Sequence, residues 1–387
     1  MKVCALAAHT PEAVRAALVA RGWEGDPARF AAAGLHALVV LLEDVTDEER
    51  EALVRWAARA GTDVLTGPGW GLVAGAASRL APLARFERVP AGLERLAEPL
   101  GRCLIAHAEP PRRWLVAGGA MALDAPVLIG VVNVTPDSFS DGGTITGVDD
   151  ALRHAERLRA DGAHLIDVGG ESTRPGAVEV PAEEEAARVV PVVAALVASG
   201  LGPVSVDTRK AGVARAALAA GAAAINDVSG LAHDPGLAGA VRDAGAGIIV
   251  MHMRGTPDTM DALAVYRHVA SEVADELRRA VDRAVAAGID ADHIALDPGF
   301  GFAKTAAQNL RLLDELATVA GLGYPVVVGP SRKRFLGAAT ARPVTDRDRA
   351  TAVACALAWE RGARLFRVHE VALTREALAL AGAVTAP

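Results

Sequence analysis

Residues 293–302 read HIALDPGFGF, a short apolar run that leads into an aspartate and a glycine-rich turn. An apolar strand that delivers a polar side chain at its carboxyl end is typical of the parallel sheets of α/β proteins. Seven other apolar or β-branched runs have the same character. The eight predicted strands are residues 127–132, 164–168, 204–206, 223–225, 247–251, 293–296, 325–328 and 364–368.

Alanine-rich amphipathic stretches separate these strands and predict crossover helices. The predicted helices are residues 148–160, 182–199, 210–220, 261–287, 306–320, 346–361 and 371–381. This alternation fits a closed (β/α)8 TIM barrel, and a doubly wound open sheet would give the same local pattern.

The polar residues at the strand ends favour the barrel, because a barrel brings all eight carboxyl ends to one face, whereas an open sheet would scatter them. The groups at these ends are Asn133, Glu171, Asp207, Asn226, His252, Asp297, the run 331–333, and Arg367 with His369.

The first 110 residues have a different pattern and predict an additional small N-terminal α/β domain of unknown role. Its predicted strands are 3–7, 35–42 and 63–66, and its predicted helices are 11–21, 47–60 and 70–80. The turn at 67–71 lacks the residues of a phosphate-binding loop. Residues 109–113 are a predicted linker and 114–123 a hairpin across the barrel bottom. The predicted domains are therefore 1–110 and 111–387.

Composition limits the possible classes of protein. The 387 residues are 51% hydrophobic and 22% charged, which excludes disorder as the main state. The net charge of -7 argues against a nucleic-acid partner. No apolar stretch is long enough for a bilayer, and three widely spaced cysteines suggest no disulfide framework. We therefore expect a cytoplasmic protein without membrane contact. Lysine is so rare that Lys304 and Lys333 become candidate functional residues.

Three groups of rim residues have side chains suited to binding a metal or a ligand. Asn133 and Asp141 offer oxygen ligands suited to Mg²⁺, although a structural Asx-rich turn would use the same residues. Carboxylates at Asp207 and Asp297 require donors, from either a ligand or a buried salt-bridge network. The loops after the seventh and eighth strands, where barrels often bind phosphate, hold five potential cations. They are Arg332, Lys333, Arg334, Arg367 and His369.

From about residue 112 to the carboxyl terminus, the chain resembles the bacterial dihydropteroate synthases, and the first 110 residues are not covered. The resemblance rests on six motifs in a specific order. They are NVTPDSFSDGG (133–143), GESTRPG (170–176), MHM (251–253), DPGFGF (297–302), SRK (331–333) and RVH (367–369).

The resemblance implies a transferase that joins para-aminobenzoate to 6-hydroxymethyl-7,8-dihydropterin diphosphate, giving 7,8-dihydropteroate and diphosphate. It also implies Mg²⁺, a homodimer and inhibition by sulfonamides. By matching position, the implied pterin-binding residues are Asp207, Asn226, Asp297 and Lys333. Those implied for Mg²⁺ and diphosphate are Asn133, Asp141, Arg367 and His369, and those on loops over the aminobenzoate are Phe139, Thr173 and Arg174. The catalytic residues are expected to be Lys333, Arg367, His369 and Asp297.

The sequence departs from this family at two positions. Arg334 stands where serine is frequent, and Glu370 stands where aspartate is usual. We expect Arg334 to bind the aminobenzoate carboxylate. Two alternatives remain at this point: a methyltetrahydrofolate-corrinoid methyltransferase, which has no diphosphate to bind, and a non-catalytic pterin-binding protein.

Overall fold

The structure is a computed structural model that describes residues 37–76, 79–80, 89, 91–135, 147–172, 177 and 179–385. The chain divides into two compact units, with the boundary between Pro110 and Pro111. Each unit has its own hydrophobic core. The predicted strand at 3–7 and the predicted helix at 11–21 lie outside the described residues.

The first unit contains an antiparallel sheet in the strand order β1-β3-β2. Its described elements are β1 (Ala37–Val45), α1 (Asp47–Ala60), β2 (Asp63–Gly67), β3 (Gly69–Ala76) and α2 (Glu94–Ala108). Helix α1 has the predicted bounds, because Thr46 and Glu49 form a capping box at its start. The predicted helix at 70–80 is wrong over residues 70–76. The glycine-rich turn at 67–69 reverses the chain, and β3 pairs with β2 as a hairpin that buries alternate residues.

The second unit begins with a hairpin formed by β4 (Arg113–Val116) and β5 (Gly119–Ala122). The indole nitrogen of Trp114 donates to the carbonyl of His293 over 2.8 Å, and the amide of Ala117 donates to the carbonyl of Ala223 over 2.9 Å. Both acceptors precede barrel strands, so the hairpin lies at the amino ends of the strands. The predicted hairpin across the barrel bottom is confirmed.

Eight parallel strands then form a closed barrel in chain order. They are β6 (Val127–Asn133), β7 (Leu165–Gly169), β8 (Val204–Asp207), β9 (Ala224–Asp227), β10 (Gly247–Met251), β11 (Ile294–Asp297), β12 (Val326–Val328) and β13 (Ala363–Val368). The predicted TIM barrel is therefore confirmed, and each predicted strand lies within two residues of an observed one.

Helices surround the barrel. They are α3 (Val148–Asp161), α4 (Ala182–Ala198), α5 (Ala211–Ala219), α6 (Leu237–Asp243), α7 (Val269–Ala286), α8 (Ala306–Asp314), α9 (Ala317–Ala320), α10 (Arg334–Thr340), α11 (Asp348–Glu360) and α12 (Val371–Thr385). The predicted start of α7 at residue 261 is wrong, because a 3-10 turn (Met260–Leu263) comes first. Helices α6 and α10 were missed, since seven residues give too few turns for periodicity. Among the described helices, none is long and apolar enough to cross a membrane.

The barrel interior has an apolar lower layer and a polar upper layer. Ile129, Leu165, Ile249, Val327 and Leu365 belong to one buried cluster with Trp114 of the hairpin. Because side chains alternate along a strand, the residue two positions further on faces the same side. On four strands this step leads from an apolar residue to a polar one: Leu165 to Asp167, Ala224 to Asn226, Ala295 to Asp297 and Leu365 to Arg367.

Candidate functional site

Arg367, on β13, is at the centre of the polar layer. Its Nε donates to Oδ2 of Asp167 over 2.6 Å, and its Nη2 donates to Oδ2 of Asp207 over 3.0 Å. These carboxylates come from β7 and β8, which are consecutive in the chain and adjacent in the sheet. The guanidinium therefore joins three strands, and its side chain keeps 22% of its surface exposed.

Asp167 lies beneath Arg367 and is fully buried. Its Oδ1 accepts from the hydroxyl of Ser205 over 2.5 Å, and its Oδ2 accepts from Nδ2 of Asn226 over 3.4 Å. Asp167 is not among the site residues predicted from the sequence. The available signal was a carboxylate inside the apolar run of β7, two positions beyond Leu165 and therefore on the barrel's inner face.

Burial changes the protonation chemistry of this layer. It raises the pKa of Asp297 to about 6, although the amide of Gly299 and the charges of Lys333 and Arg367 oppose the rise. Burial likewise raises the pKa of Asp207, against the opposing charge of Arg367. Burial works to lower the pKa of Arg367, but the neighbouring carboxylates outweigh it and raise that pKa above its usual range. Arg367 therefore stays charged, whereas Asp297 changes its protonation state near pH 6.

Asp297 ends β11 at a tight turn. Its Oδ1 accepts from the amide of Gly299 over 2.7 Å. A Cβ added at Gly329 would lie 3.9 Å from its Oδ2 and 3.9 Å from Cβ of Arg367. Glycine at 329 therefore leaves the space between these two residues free of a side chain.

Lys333 lies on the same side of the site as this turn. Its ammonium is 4.1 Å from the ring centroid of Phe302, a cation-π contact. A Cβ at Gly301 would lie 3.0 Å from Cδ of Lys333, so the turn and the lysine stem are in close contact. The charge of Lys333 acts on both Asp207 and Asp297. The structure thus brings together Asp207, Asn226, Asp297, Lys333 and Arg367.

The predicted cationic cluster is divided between the barrel mouth and the surface. His369 lies at the mouth, where its Nδ1 is 2.8 Å from the hydroxyl of Ser331. Arg332 forms a bidentate pair with Asp348, at 2.8 and 2.9 Å. Arg334 is 65% exposed and donates to Asp261 over 3.0 Å. Both of these arginines therefore form ion pairs. Arg332 pairs with Asp348 on α11, and Arg334 on α10 pairs with Asp261 on the 3-10 turn.

Asn133 ends β6 at the rim and is half-buried. A Cβ at Gly169 would lie 3.4 Å from its Oδ1, so this amide oxygen lies beside the end of β7. A neutral oxygen suits Mg²⁺, which keeps several waters and needs few protein ligands. The described residues contain no cluster of three metal-binding side chains. The other candidates Phe139, Asp141, Thr173 and Arg174 lie outside the described residues.

Glu171 was predicted only as a polar strand end, and the structure gives it a structural environment. It accepts from Nζ of Lys210 over 2.6 Å and from Nη2 of Arg209 over 3.2 Å. The same Lys210 donates to buried Glu185 over 2.5 Å. The amide of Val180 also donates to Glu171, over 3.2 Å. One carboxylate therefore holds both ends of the chain between 171 and 180.

His252 was predicted as a structural or pocket-wall histidine, and it is buried beside a cavity of about 210 Å³. Its Nε2 lies 3.0 Å from Oε2 of Glu276, and its Nδ1 lies 2.9 Å from Nζ of Lys304. Burial and the charge of Lys304 lower the pKa of His252 to about 4, so the imidazole is neutral.

Comparison with known proteins identifies what this barrel resembles. The family model described as "Pterin binding enzyme" matches residues 129–369. Dihydropteroate synthase of Mycobacterium leprae is 47% identical over 267 residues, which cover 67% of this chain and 94% of that protein. The Yersinia pestis dihydropteroate synthase, solved with a sulfonamide drug, is 40% identical with a TM-score of 0.69, over 71% of this chain and 100% of that one. The Xanthomonas albilineans enzyme, solved with 7,8-dihydropteroate, is 45% identical with a TM-score of 0.64, over 71% and 99%.

Proposed function

The chain belongs to the dihydropteroate synthase family of pterin-binding enzymes and synthesises dihydropteroate, and from that premise we propose which residues carry the reaction. The substrates are 6-hydroxymethyl-7,8-dihydropterin diphosphate and para-aminobenzoate. The observation that carries this proposal is the layer of buried polar side chains that converge above the apolar floor of the barrel, around Arg367. The relatives that match the barrel are synthases, which argues against the methyltransferase and non-catalytic alternatives.

Asp297 and Lys333 bind the pterin ring from two sides. The carboxylate of Asp297 accepts two hydrogen bonds from the aminopyrimidinone edge, and the ammonium of Lys333 donates to the ring carbonyl and nitrogen. Asp207 and Asn226 complete the pocket on the neighbouring strands. The high pKa of Asp297 supports this role, because an unliganded buried carboxylate lacks the donors that the pterin supplies.

Arg367 and His369 bind the diphosphate. Asn133 and Asp141 would hold Mg²⁺, because their side chains offer the oxygen ligands that this ion prefers. When bound, the metal stabilises negative charge on the leaving group. Phe139, Thr173, Arg174 and Arg334 are assigned to the aminobenzoate side of the site, as the sequence predicts.

The reaction is dissociative. The bond between the pterin methylene carbon and the diphosphate oxygen breaks, and the electron pair leaves with the diphosphate. Arg367 and His369 stabilise the charge that develops on this leaving group. The electron-rich pterin, held by Asp297 and Lys333, stabilises the methylene cation. The neutral arylamine nitrogen attacks that carbon and releases one proton to solvent.

A homodimer is the expected assembly. Helices α11 and α12 support it, because they leave large apolar side chains exposed: Val353 at 59%, Leu357 at 39% and Leu380 at 69%. Light scattering of the purified protein tests the dimer. The cytoplasmic location stays a prediction.

A radiochemical assay tests the reaction. The full-length protein is incubated with the pterin diphosphate, radiolabelled para-aminobenzoate and Mg²⁺. We expect labelled dihydropteroate that disappears when a chelator is added and returns when Mg²⁺ is restored. Absence of the product under all these conditions would refute the proposed substrates.

A further inference from the structure

Lys304 follows the turn that begins at Asp297, and its side chain folds back into that turn. The residue is 5% exposed. Its Nζ lies 2.9 Å from Nδ1 of His252, 3.0 Å from the carbonyl of Gly299 and 2.9 Å from the carbonyl of Phe302. One ammonium therefore joins two points of the turn to the segment that follows β10.

The chemistry of these contacts identifies the charged form of the lysine. An ammonium has three hydrogens, and the two carbonyls and the imidazole nitrogen are three acceptors. Nδ1 of His252 must be unprotonated to accept, so Nε2 carries the hydrogen and donates to Glu276 over 3.0 Å. A neutral amine has only two hydrogens and would leave one acceptor without a donor.

The residues that Lys304 holds are those that contact the two pterin-binding groups. The amide of Gly299 donates to the carboxylate of Asp297, and the ring of Phe302 lies under the ammonium of Lys333. The same turn is held from α8, where Oδ1 of Asn309 accepts from the amide of Gly301 over 2.7 Å. The turn is thus fixed at Gly299, Gly301 and Phe302.

We propose that Lys304 is a positioning residue for the synthase reaction, which in its protonated form fixes Asp297 and Lys333 at the separation that the pterin ring requires. It touches neither substrate and acts through the turn from Gly299 to Phe302. This inference rests on the proposed function, because it takes Asp297 and Lys333 to be the residues that bind the pterin. It assigns Lys304 to the pterin half of the site alone.

The charges around Lys304 make its proton sensitive to pH. Burial lowers the pKa of Lys304 to about 7, against the raising effects of Asp297 on β11 and Glu276 on α7. Arg254, after β10, and Lys333, before α10, lower it further, while the neighbouring His252 is neutral. As the pH rises through about 7, the amine loses one hydrogen bond, and the affinity for the pterin substrate should fall.

The first test replaces Lys304 with methionine, which keeps the length of the side chain and removes the charge. We expect the KM for the pterin diphosphate to rise about tenfold or more, as expected for loss of hydrogen bonds from a charged donor, with little change for para-aminobenzoate. The alkaline decline of kcat/KM for the pterin diphosphate should disappear. Arg311→Met is the matched control, because Arg311 lies on α8 and is 62% exposed. It should leave both constants unchanged.

The second test needs no buried substitution. Glu276 is 26% exposed, and Glu276→Gln keeps its shape while removing a charge that supports the lysine proton. The alkaline decline should move to lower pH, with an unchanged KM for para-aminobenzoate. The positioning role would be overturned if the alkaline decline of Glu276→Gln stayed at the wild-type pH. It would also be overturned if Lys304→Met raised the KM values for both substrates equally. A wild-type enzyme without product would instead refute the proposed function, so the two failures are distinguishable.

Discussion

Arg367 donates from its Nε to Oδ2 of Asp167 over 2.6 Å, inside the barrel and below the groups proposed to bind substrate. Asp167 is also bound by Ser205 and Asn226, so its carboxylate has a fixed orientation. A guanidinium held at Nε has one defined plane, in which its Nη2 donates to Asp207. The buried aspartate therefore orients the arginine that we assign to the diphosphate.

Asp167→Asn should weaken catalysis through Arg367. Asparagine keeps the volume but removes the charge, and a hydrogen bond to a charged group contributes about 1.5–3 kcal/mol. We expect kcat/KM for the pterin diphosphate to fall roughly 10- to 100-fold. Asp243→Asn is the control, because Asp243 is 69% exposed in a surface pair with Arg242. An unchanged kcat/KM in folded Asp167→Asn would show that Arg367 keeps its orientation without this partner.

The pKa of Asp297 predicts opposite effects of acid on binding and on stability. Below about pH 6 the carboxyl becomes protonated and loses acceptor capacity, so KM for the pterin diphosphate should rise as the pH falls. Because the folded-state pKa is raised from its usual 3.8, this group stabilises the fold below that value, and the contribution is lost as the pH rises through about 6. Steady-state kinetics and urea unfolding across this range measure the two effects. Asp297→Asn should remove both dependences, and their persistence in that variant would assign them to another group.

Gly299→Ala should unfold or strongly destabilise the barrel. Gly299 has φ +69°, and an added Cβ would lie 2.0 Å from the carbonyl oxygen of His252. Overpacking and a left-handed non-glycine backbone together cost about 2–5 kcal/mol. Gly212→Ala on α5 is the matched control, because its added Cβ meets no atom within 4 Å and should stabilise the helix by about 0.5–1 kcal/mol. Urea denaturation of both variants checks the pair, and equal stabilities would contradict the close contact.

Arg334→Ala should raise the KM for para-aminobenzoate. An exposed ion pair contributes about 0.2–1 kcal/mol, so we expect an increase of up to about fivefold. Arg334 is paired with Asp261, at 3.0 Å, and substrate has to compete with that carboxylate. Asp261→Asn is therefore the informative partner variant and should leave this KM equal or lower. No change for Arg334→Ala would remove Arg334 from the aminobenzoate site.

The strands of the barrel were predictable because each short apolar run ends in a polar residue, which marks the carboxyl end of the strand at the rim. Asp297 is an example, since the run, the aspartate and the glycine turn specify both the strand and its carboxyl end. Strand β3 was not predictable from composition, because small residues such as Gly71 and Gly75 suit either a loose helix or a close hairpin. The pairing with β2 decided its conformation.

The pocket residues at the strand ends were predictable for the same reason. The buried residues that hold those pocket residues in place were not. Asp167 lies within an apolar run, and its position on the inner face follows only once Leu165, two residues earlier, is known to face the barrel interior. Lys304 was singled out by the rarity of lysine, but its partners on His252 and Gly299 depend on how the turn folds back. Arg332 and Arg334 were counted with the cationic cluster, but only the folded chain brings Arg332 to part-buried Asp348 and Arg334 to exposed Asp261.

The hairpin under the barrel determines how molecules can enter and leave. Trp114 packs against the amino ends of the strands, so substrates have to enter the described part of the barrel from the carboxyl rim. In the proposed site, the pterin ring binds deep inside the barrel and the arylamine binds above it, nearer the carboxyl rim. The pterin substrate, which binds deepest, therefore has to enter before the arylamine, so depth in the barrel imposes the order of binding.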